Sequence, residues 1–298
     1  MKNLQQVTNA IIGTSIVATA TIGYFIYENN KLSISNLEII SNKIPKSFKD
    51  FKILHLTDLH GKIFGKNNSK LINKIKELNP DIIVATGDMF SVCMDEKEVF
   101  LNLCKNLRNY YPIYYSLGNH ETIVKTSTNF NERTWFCYYI DKLKQIGVIV
   151  IDNAKVNLVK GQDKINIYGL SLPIKYYRRR FTADRKKKLP VSKQILDNFI
   201  GECNKKNFNI LLAHNPLHYD AYRAWGSDIT FSGHIHGGVV RLPIIKGIFS
   251  PEVDFFPKYK EGIYLKENSA LVVGRGLGNS SLKVRVLNPP EIVIITLK

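Results

Sequence analysis

Five of the 7 histidines in this 298-residue chain stand in short polar clusters, each directly after an apolar run. The clusters are Asp58-Leu59-His60, Gly118-Asn119-His120, His214-Asn215-Pro216 and Gly233-His234-Ile235-His236, with Gly87-Asp88 adding a carboxylate. The preceding runs read as β-strands. Loops at strand ends are where a fold gathers residues distant in sequence around an ion. That ordering constrains the chain more than any single motif does, and it predicts an α/β protein built around a metal centre.

The runs themselves support that fold class. Residues 51–56 read as a strand ending at Asp58, and residues 67–78 as a helix with Leu71, Ile72, Ile75 and Leu78 on one face. Asn79-Pro80-Asp81 ends it. A strand at 82–86 leads to Gly87-Asp88, a helix follows at 96–107, and a strand at 111–117 ends at Gly118. A helix at 132–146 and a short strand at 148–150 complete a βαβαβ order, which predicts parallel pairing. The second half reads as a hairpin at 155–159 and 164–170, then a helix at 191–202 and strands at 208–213 and 228–232. Final strands are expected at 263–266, 269–273, 283–286 and 291–297, and a first strand at 34–40.

Composition excludes a disordered chain, since 44% of residues are hydrophobic and no block is of low complexity. The formal charge of +17 is compatible with a lysine-rich solvated surface or with attraction to phosphates, anionic lipid or nucleic acid. None of the four cysteines (Cys93, Cys104, Cys137, Cys203) forms a Cys-x-x-Cys pair, so no thiolate zinc knuckle is indicated and small buried apolar roles are expected.

Residues 11–27 carry no charge and, with Asn9 and Ala10, approach the roughly 20 residues that span a bilayer. Tyr24, Phe25 and Tyr27 close the stretch as interfacial aromatics do. A signal-peptide core is the alternative, but no clear Ala-x-Ala site follows. The expected organisation is a signal-anchor or transmembrane segment at 1–30, a lead-in strand and connection at 31–50, and one catalytic domain at 51–298. Lys2 and the amino terminus before the span, against Glu28 and Lys31 after it, place the domain outside the cytoplasm by a small margin. The cytoplasmic orientation is the alternative.

Each cluster has an ordinary reading when taken alone. Asp58 could cap a helix, Gly87-Asp88 mark a turn, His214 brace the Asn-Pro turn, and His234 and His236 sit on a surface loop. Five in order after five strands are far more specific. Their residues also resemble a known family. Asp-Leu-His-Gly at 58–61, the segment 80–88 ending in Thr-Gly-Asp, Gly-Asn-His-Glu at 118–121, His-Asn-Pro at 214–216 and Gly-His-Ile-His-Gly-Gly at 233–238 resemble the calcineurin-like metallophosphoesterases. Arg-Leu-Pro at 241–243, the segment 274–280 and Asn-Pro-Pro-Glu-Ile at 288–292 are similar to the membrane-associated bacterial YkuE/YaeI type within them. Val239 departs from that type, which often carries Gln there.

The resemblance implies a four-layer α/β/β/α sandwich with two facing mixed β-sheets, preceded by the transmembrane helix. It implies Asp58, His60 and His236 on one ion, Asn119, His214 and His234 on a second, and Asp88 bridging them. Such a pair clamps a phosphate ester and supplies hydroxide for in-line attack. His120 is implied as the non-ligand acid, with Glu121 as a weaker candidate for orienting it. A nitrogen- and oxygen-rich set without thiolate suits Mn²⁺, Zn²⁺ or Fe²⁺/Fe³⁺ better than Mg²⁺ or Ca²⁺. His55, inside a strand, is expected to pack in the core, and His218 is a candidate substrate contact.

The segment 175–188 holds eight basic residues and one acid, with Tyr176, Tyr177 and Phe181 interleaved. It reads either as a solvated loop or as a rim where Arg178, Arg179 and Arg180 meet phosphates at a membrane. The expected function is dinuclear-metal hydrolysis of a phosphate ester, phosphodiester or phosphomonoester, with a lipid-linked substrate among the candidates. A UDP-2,3-diacylglucosamine-type pyrophosphate hydrolase is the alternative. A nuclease and a non-catalytic anionic-lipid-binding protein rank lower, and no nucleic-acid module or obligate protein partner is expected.

Overall fold

A computed structural model of the chain describes residues 2–92, 97–177, 189–238, 241–242, 246–247, 258–279 and 285–298. The chain opens with α1 (Lys2–Asn30) and β1 (Ser33–Ile39), and continues through β2 (Lys52–Leu56), α2 (Ser69–Leu78), β3 (Ile82–Ala85), α3 (Val99–Leu107) and β4 (Ile113–Tyr115). Next come α4 (Asn119–Lys125), α5 (Phe130–Gln145), β5 (Ile149–Val150), β6 (Ala154–Lys160), β7 (Asp163–Leu170), α6 (Lys193–Ile200) and β8 (Phe208–Ala213). The last elements are α7 (Tyr219–Trp225), β9 (Ile229–Ser232), the short pair β10 (Arg241–Leu242) and β11 (Lys246–Gly247), then β12 (Gly262–Lys266), β13 (Ser269–Val273) and β14 (Glu291–Leu297).

Two six-stranded sheets result, in the orders β1-β14-β2-β3-β4-β5 and β12-β13-β9-β8-β7-β6. β2, β3, β4 and β5 are parallel, and so are β7, β8, β9 and β13, while β14, β12 and β6 each make an antiparallel pairing. Both sheets are therefore mixed, as the resemblance implies.

The strands are apolar on both faces because both faces are covered. In β2, Ile53 points into the core shared by the sheets, whereas Leu54 and Leu56 point to the layer formed with α2, α3 and α5. In β8, Ile210 and Leu212 join the central core, and Leu211 and Ala213 join the layer with α6 and α7. The helices supply matching stripes. α2 buries Leu71, Ile72 and Ile75, and it stops where Asn79 turns left-handed (φ 43) before Pro80. Helix, sheet, sheet and helix make four layers.

Several sequence expectations are corrected. Gly118-Asn119-His120 is not only a strand-end loop, because Gly118 is the N-cap of α4 and Asn119 opens that helix. α7 is not expected from the sequence, because seven residues make too short a period to stand out. At 283–286, residues 283 and 284 lie outside the described set and Val286 forms only an isolated bridge, not a strand. Of the cysteines, Cys104 is buried and Cys203 half-buried, but Cys137 is exposed, and all three are free thiols. Cys93 lies outside the described residues.

α1 is exposed along most of its length. Its segment Ile11–Asn30 has mean hydropathy 1.3 and is long and apolar enough to cross a membrane.

Candidate metal centre

Every predicted ligand stands in a loop, or at the first residue of a helix, where a parallel strand ends. Asp58 and His60 follow β2, Asp88 follows β3, Asn119 heads α4 after β4, His214 follows β8, and His234 and His236 follow β9. Five of them adopt left-handed backbone: Asp58 (φ 51), His60 (φ 48), Asp88 (φ 54), His234 (φ 69) and His236 (φ 54). That conformation is costly for residues with a Cβ, by about 1 kcal/mol or more each, and persists only where neighbours enforce it. The neighbours here are loops that hydrogen-bond across the site. Asp58 N donates to Gly87 O (3.0 Å), His60 N to Asp88 O (3.0 Å), Gly278 N to Asp58 O (2.6 Å) and Gly233 N to His214 O (3.0 Å). Asn288 Nδ2 donates to the carbonyls of His236 (2.8 Å) and Gly238 (3.0 Å).

The side chains converge on overlapping clusters. Asp58, His60 and His236 bring ligand atoms together at one end, Asp88, His214 and His234 at the other, and His60, Asp88 and His120 between them. His60 Nε2 lies 3.2 Å from His236 Nε2, and His236 Nε2 lies 3.2 Å from Asp58 Oδ1. Asp88 Oδ2 sits between the clusters, 3.1 Å from His214 Nε2 and 3.8 Å from His60 Nε2. Asn119 Oδ1 is buried and has no hydrogen-bond partner. A buried amide oxygen left unpaired costs about 1–3 kcal/mol. An oxygen acceptor beside carboxylates and imidazole nitrogens is the donor set a hard or borderline divalent cation takes, so the residues fit a metal pair.

Residues 51–238, more than half of the chain, match the family model for the calcineurin-like phosphoesterase domain. The chain belongs to the calcineurin-like phosphoesterases. It is 26% identical over 302 residues to the uncharacterized metallophosphoesterase YkuE of Bacillus subtilis, covering 99% of this chain and 96% of that one. It is similar to phosphodiesterase YaeI of Escherichia coli (26% over 268 residues, 87% and 88% covered). It is also similar to the UDP-2,3-diacylglucosamine pyrophosphatase LpxG of Chlamydia muridarum (24% over 344 residues, 95% of each). It is a metal-dependent hydrolase of the kind that uses a dinuclear divalent centre.

The phosphoesterase site is braced by Glu121. Glu121 does not orient the His120 ring and is not solvated. It is fully buried, and its carboxylate accepts from the backbone N–H groups of Asp88 (2.8 Å), Met89 (2.7 Å) and Gly118 (2.9 Å). It therefore clamps the Asp88 loop to the start of α4. His120 is oriented instead by Val92, whose N–H donates to His120 Nδ1 (3.1 Å). In the neutral ring the proton then resides on Nε2, 3.9 Å from Asp88 Oδ2.

Two glycines are required by close approach. A Cβ at Gly118 would lie 2.3 Å from Asp88 Oδ1, and one at Gly233 would lie 2.1 Å from Asp58 Oδ2.

Electrostatics divide the imidazoles. Burial, outweighing nearby carboxylates, pushes His60 down to about 3 and His236 down to about 4, so both are neutral with lone pairs available. Burial opposes protonation of His214 too, but Asp88 and Asp58 together outweigh it and raise that ring to about 10. Burial likewise opposes charge on Asp88, yet His214, His120 and His60 hold its carboxyl well below the ordinary range. His214 Nδ1 meets the Thr86 carbonyl at 2.6 Å, which accepts its proton and leaves Nε2 facing the centre.

The remaining expectations resolve unevenly. His55 packs in the core as expected, with Nε2 2.7 Å from Thr86 Oγ1 and its ring against Phe231. His218 belongs to none of the ligand clusters and meets Tyr176 O at 3.1 Å. Arg178, Arg179, Arg180 and Val239 lie outside the described residues. Asn288 and Arg285, which line the loop behind His236, carried no chemical signal in the sequence beyond the resemblance of residues 288–292.

Proposed function

We propose that this phosphoesterase hydrolyses a phosphodiester or phosphomonoester at a membrane. In this reading Asp58, His60 and His236 would hold one cation and Asn119, His214 and His234 the second, with Asp88 shared between them. The observation that carries this reading is the placement of Asp88 Oδ2, within 3.8 Å of an imidazole of each half-site. When bound, a pair of divalent cations supplies an acidified water and neutralises charge on the phosphoryl oxygens.

The chain's own residues do the rest. Asp88, fixed by Glu121, sets the spacing of the half-sites. His120, with its Nδ1 occupied by Val92, presents Nε2–H at the partly exposed mouth, its side chain 25% accessible. As water oxygen bonds to phosphorus and the ester P–O bond breaks, the His120 Nε2–H would donate a hydrogen bond to the departing oxygen, which takes up the proton that the attacking water loses.

The apolar span of α1 supports a single-pass membrane protein, and the weak charge bias around it favours an extracytoplasmic domain. A second reading is favoured by the likeness to LpxG: the same centre cleaves a lipid-linked pyrophosphate, from a domain facing the cytoplasm.

The test is hydrolysis of bis(p-nitrophenyl) phosphate by the full chain, stripped of metal and reloaded with Mn²⁺, Zn²⁺ or Fe²⁺, beside His120→Ala. Turnover in the wild type, with His120→Ala retaining both metals but losing about 10²-fold or more in rate, is expected. A fully loaded wild type inert on every phosphate ester, yet still binding anionic vesicles, supports the binding-protein reading instead.

A further inference from the structure

The apolar helix leaves the domain at the same end as the metal loops. β1 is parallel to β14, with Ser33 paired to Glu291, and β14 is antiparallel to β2, with Val293 paired to His55. Continuing that register sets Glu291, and with it Ser33, level with Thr57, the residue before Asp58. Two strand spacings separate β1 from β2, roughly 10 Å.

The last turn of α1 is also built into the loops around the site. Glu28 is only 8% exposed, in a helix otherwise open along its apolar span. The Asn29 side chain pairs with the backbone of Arg285, accepting from its N–H (3.2 Å) and donating to its carbonyl (3.5 Å), and it accepts from Asn279 Nδ2 (3.2 Å). The Asn29 carbonyl accepts from Lys62 Nζ, two residues beyond His60. The Arg285 guanidinium, buried among the carbonyls of Gly278, Arg275 and Asn288, lies 3.4 Å from His236 Nδ1. Beside these contacts two large apolar side chains face outward: Ile63 (48% exposed) and Leu287 (39%).

We propose that the metal centre works at the lipid headgroup layer, with the end of α1 as part of its rim, and that its substrate class is a phosphate ester displayed by a membrane lipid. This rests on the hydrolytic reading above. With residues 11–27 in the hydrocarbon, Glu28–Asn30 fall at headgroup depth, and the register holds the mouth of the site within about a strand's length of them. Ile63 and Leu287 dip toward the acyl boundary. A lipid-borne ester then reaches the centre without leaving the bilayer, at an effective concentration no soluble ester matches.

The experiment uses the full chain in phosphatidylcholine–phosphatidylglycerol vesicles with two esters sharing a leaving group, soluble bis(p-nitrophenyl) phosphate and the lipid phosphatidyl-p-nitrophenol. A flexible 20-residue Gly/Ser insertion after Tyr27 keeps the docked turn on the domain but releases the domain from the surface. The insertion is expected to leave soluble-ester turnover within twofold and to lower turnover of the lipid ester at least tenfold. Equal turnover of the lipid ester by both proteins overturns the proposal. Loss of soluble-ester turnover in the wild type itself refutes the hydrolytic reading instead.

A second readout needs no activity. With Cys93 and Cys137 replaced by serine, a fluorophore at Ile63→Cys is expected to be quenched by headgroup-nitroxide lipid several-fold more than one at Lys49→Cys, at the opposite end of β2. Equal quenching, or the reverse, overturns the proposal.

Discussion

Gly118→Ala isolates the placement of one carboxylate. The new Cβ would stand 2.3 Å from Asp88 Oδ1 and 2.5 Å from Asp88 N, where ordinary contact begins near 3.4 Å. Asp88 must therefore move by about 1 Å. Gly118 has φ −96 and ψ −168, extended backbone that alanine adopts freely, so no strain in the backbone itself confuses the result. The same shift loosens the bond from His120 N to Asp88 Oδ1 (2.9 Å), so the bridging carboxylate and the acid move together. A misplacement of about 1 Å in a reacting constellation costs about 10²-fold in rate, or ~2.7 kcal/mol in the barrier. The assay is kcat on bis(p-nitrophenyl) phosphate with Mn²⁺, read beside metal content and melting temperature. A fall of about 100-fold with a folded chain is expected. A kcat within threefold of wild type, with two ions bound, would falsify the claim that Asp88 geometry sets catalysis.

Other outcomes follow from the same contacts. Glu121→Ala leaves three buried N–H donors without their carboxylate, a loss of at least about 2 kcal/mol, visible as a lower melting temperature and weaker metal retention. The metal-free protein has two opposing pH dependences. His214, raised to about 10 by its carboxylate neighbours against burial, contributes stability that is complete below pH 6.5 and fades as pH rises toward 10. His55, pushed down to about 3 by burial, contributes stability present above pH 6.5 and lost as pH falls toward 3. Urea titrations of the metal-free chain should therefore show a maximum near neutrality, and His55→Phe should flatten the acid side. Because His214 is protonated without metal, loading at pH 8 is expected to release about one proton, read by calorimetry in buffers of different ionisation enthalpy.

The sequence made the site more legible than the packing around it. Ligands stand where strands end, and the largely apolar runs of residues 52–56, 82–85 and 208–213 announce those strands, because strands covered on both faces are apolar at most positions. Polar residues that break off such runs are conspicuous. Glu121 is equally visible, but its place in the sequence suggests only the adjacent His120 ring or solvent. Its partners are backbone N–H groups of a loop 32 and 33 residues away in sequence, and no side-chain pattern records them. The helix at Asn119 hid behind Gly118, whose sequence signal is a turn although its role is close approach to Asp88. Arg285 and Asn29 were unreadable for a related reason. Their contact joins residues 256 positions apart through backbone groups, and only the placement of β1 beside β14 brings them together.

The account turns on a pair of cations acting together across Asp88. The most direct test is to titrate Mn²⁺ into metal-free protein while following bound metal and turnover of bis(p-nitrophenyl) phosphate in one series. Turnover should rise with occupancy of the second site, saturate at two ions per chain, and vanish in Asp88→Asn with at most one ion bound. Full turnover at one ion per chain, or in Asp88→Asn, would contradict it.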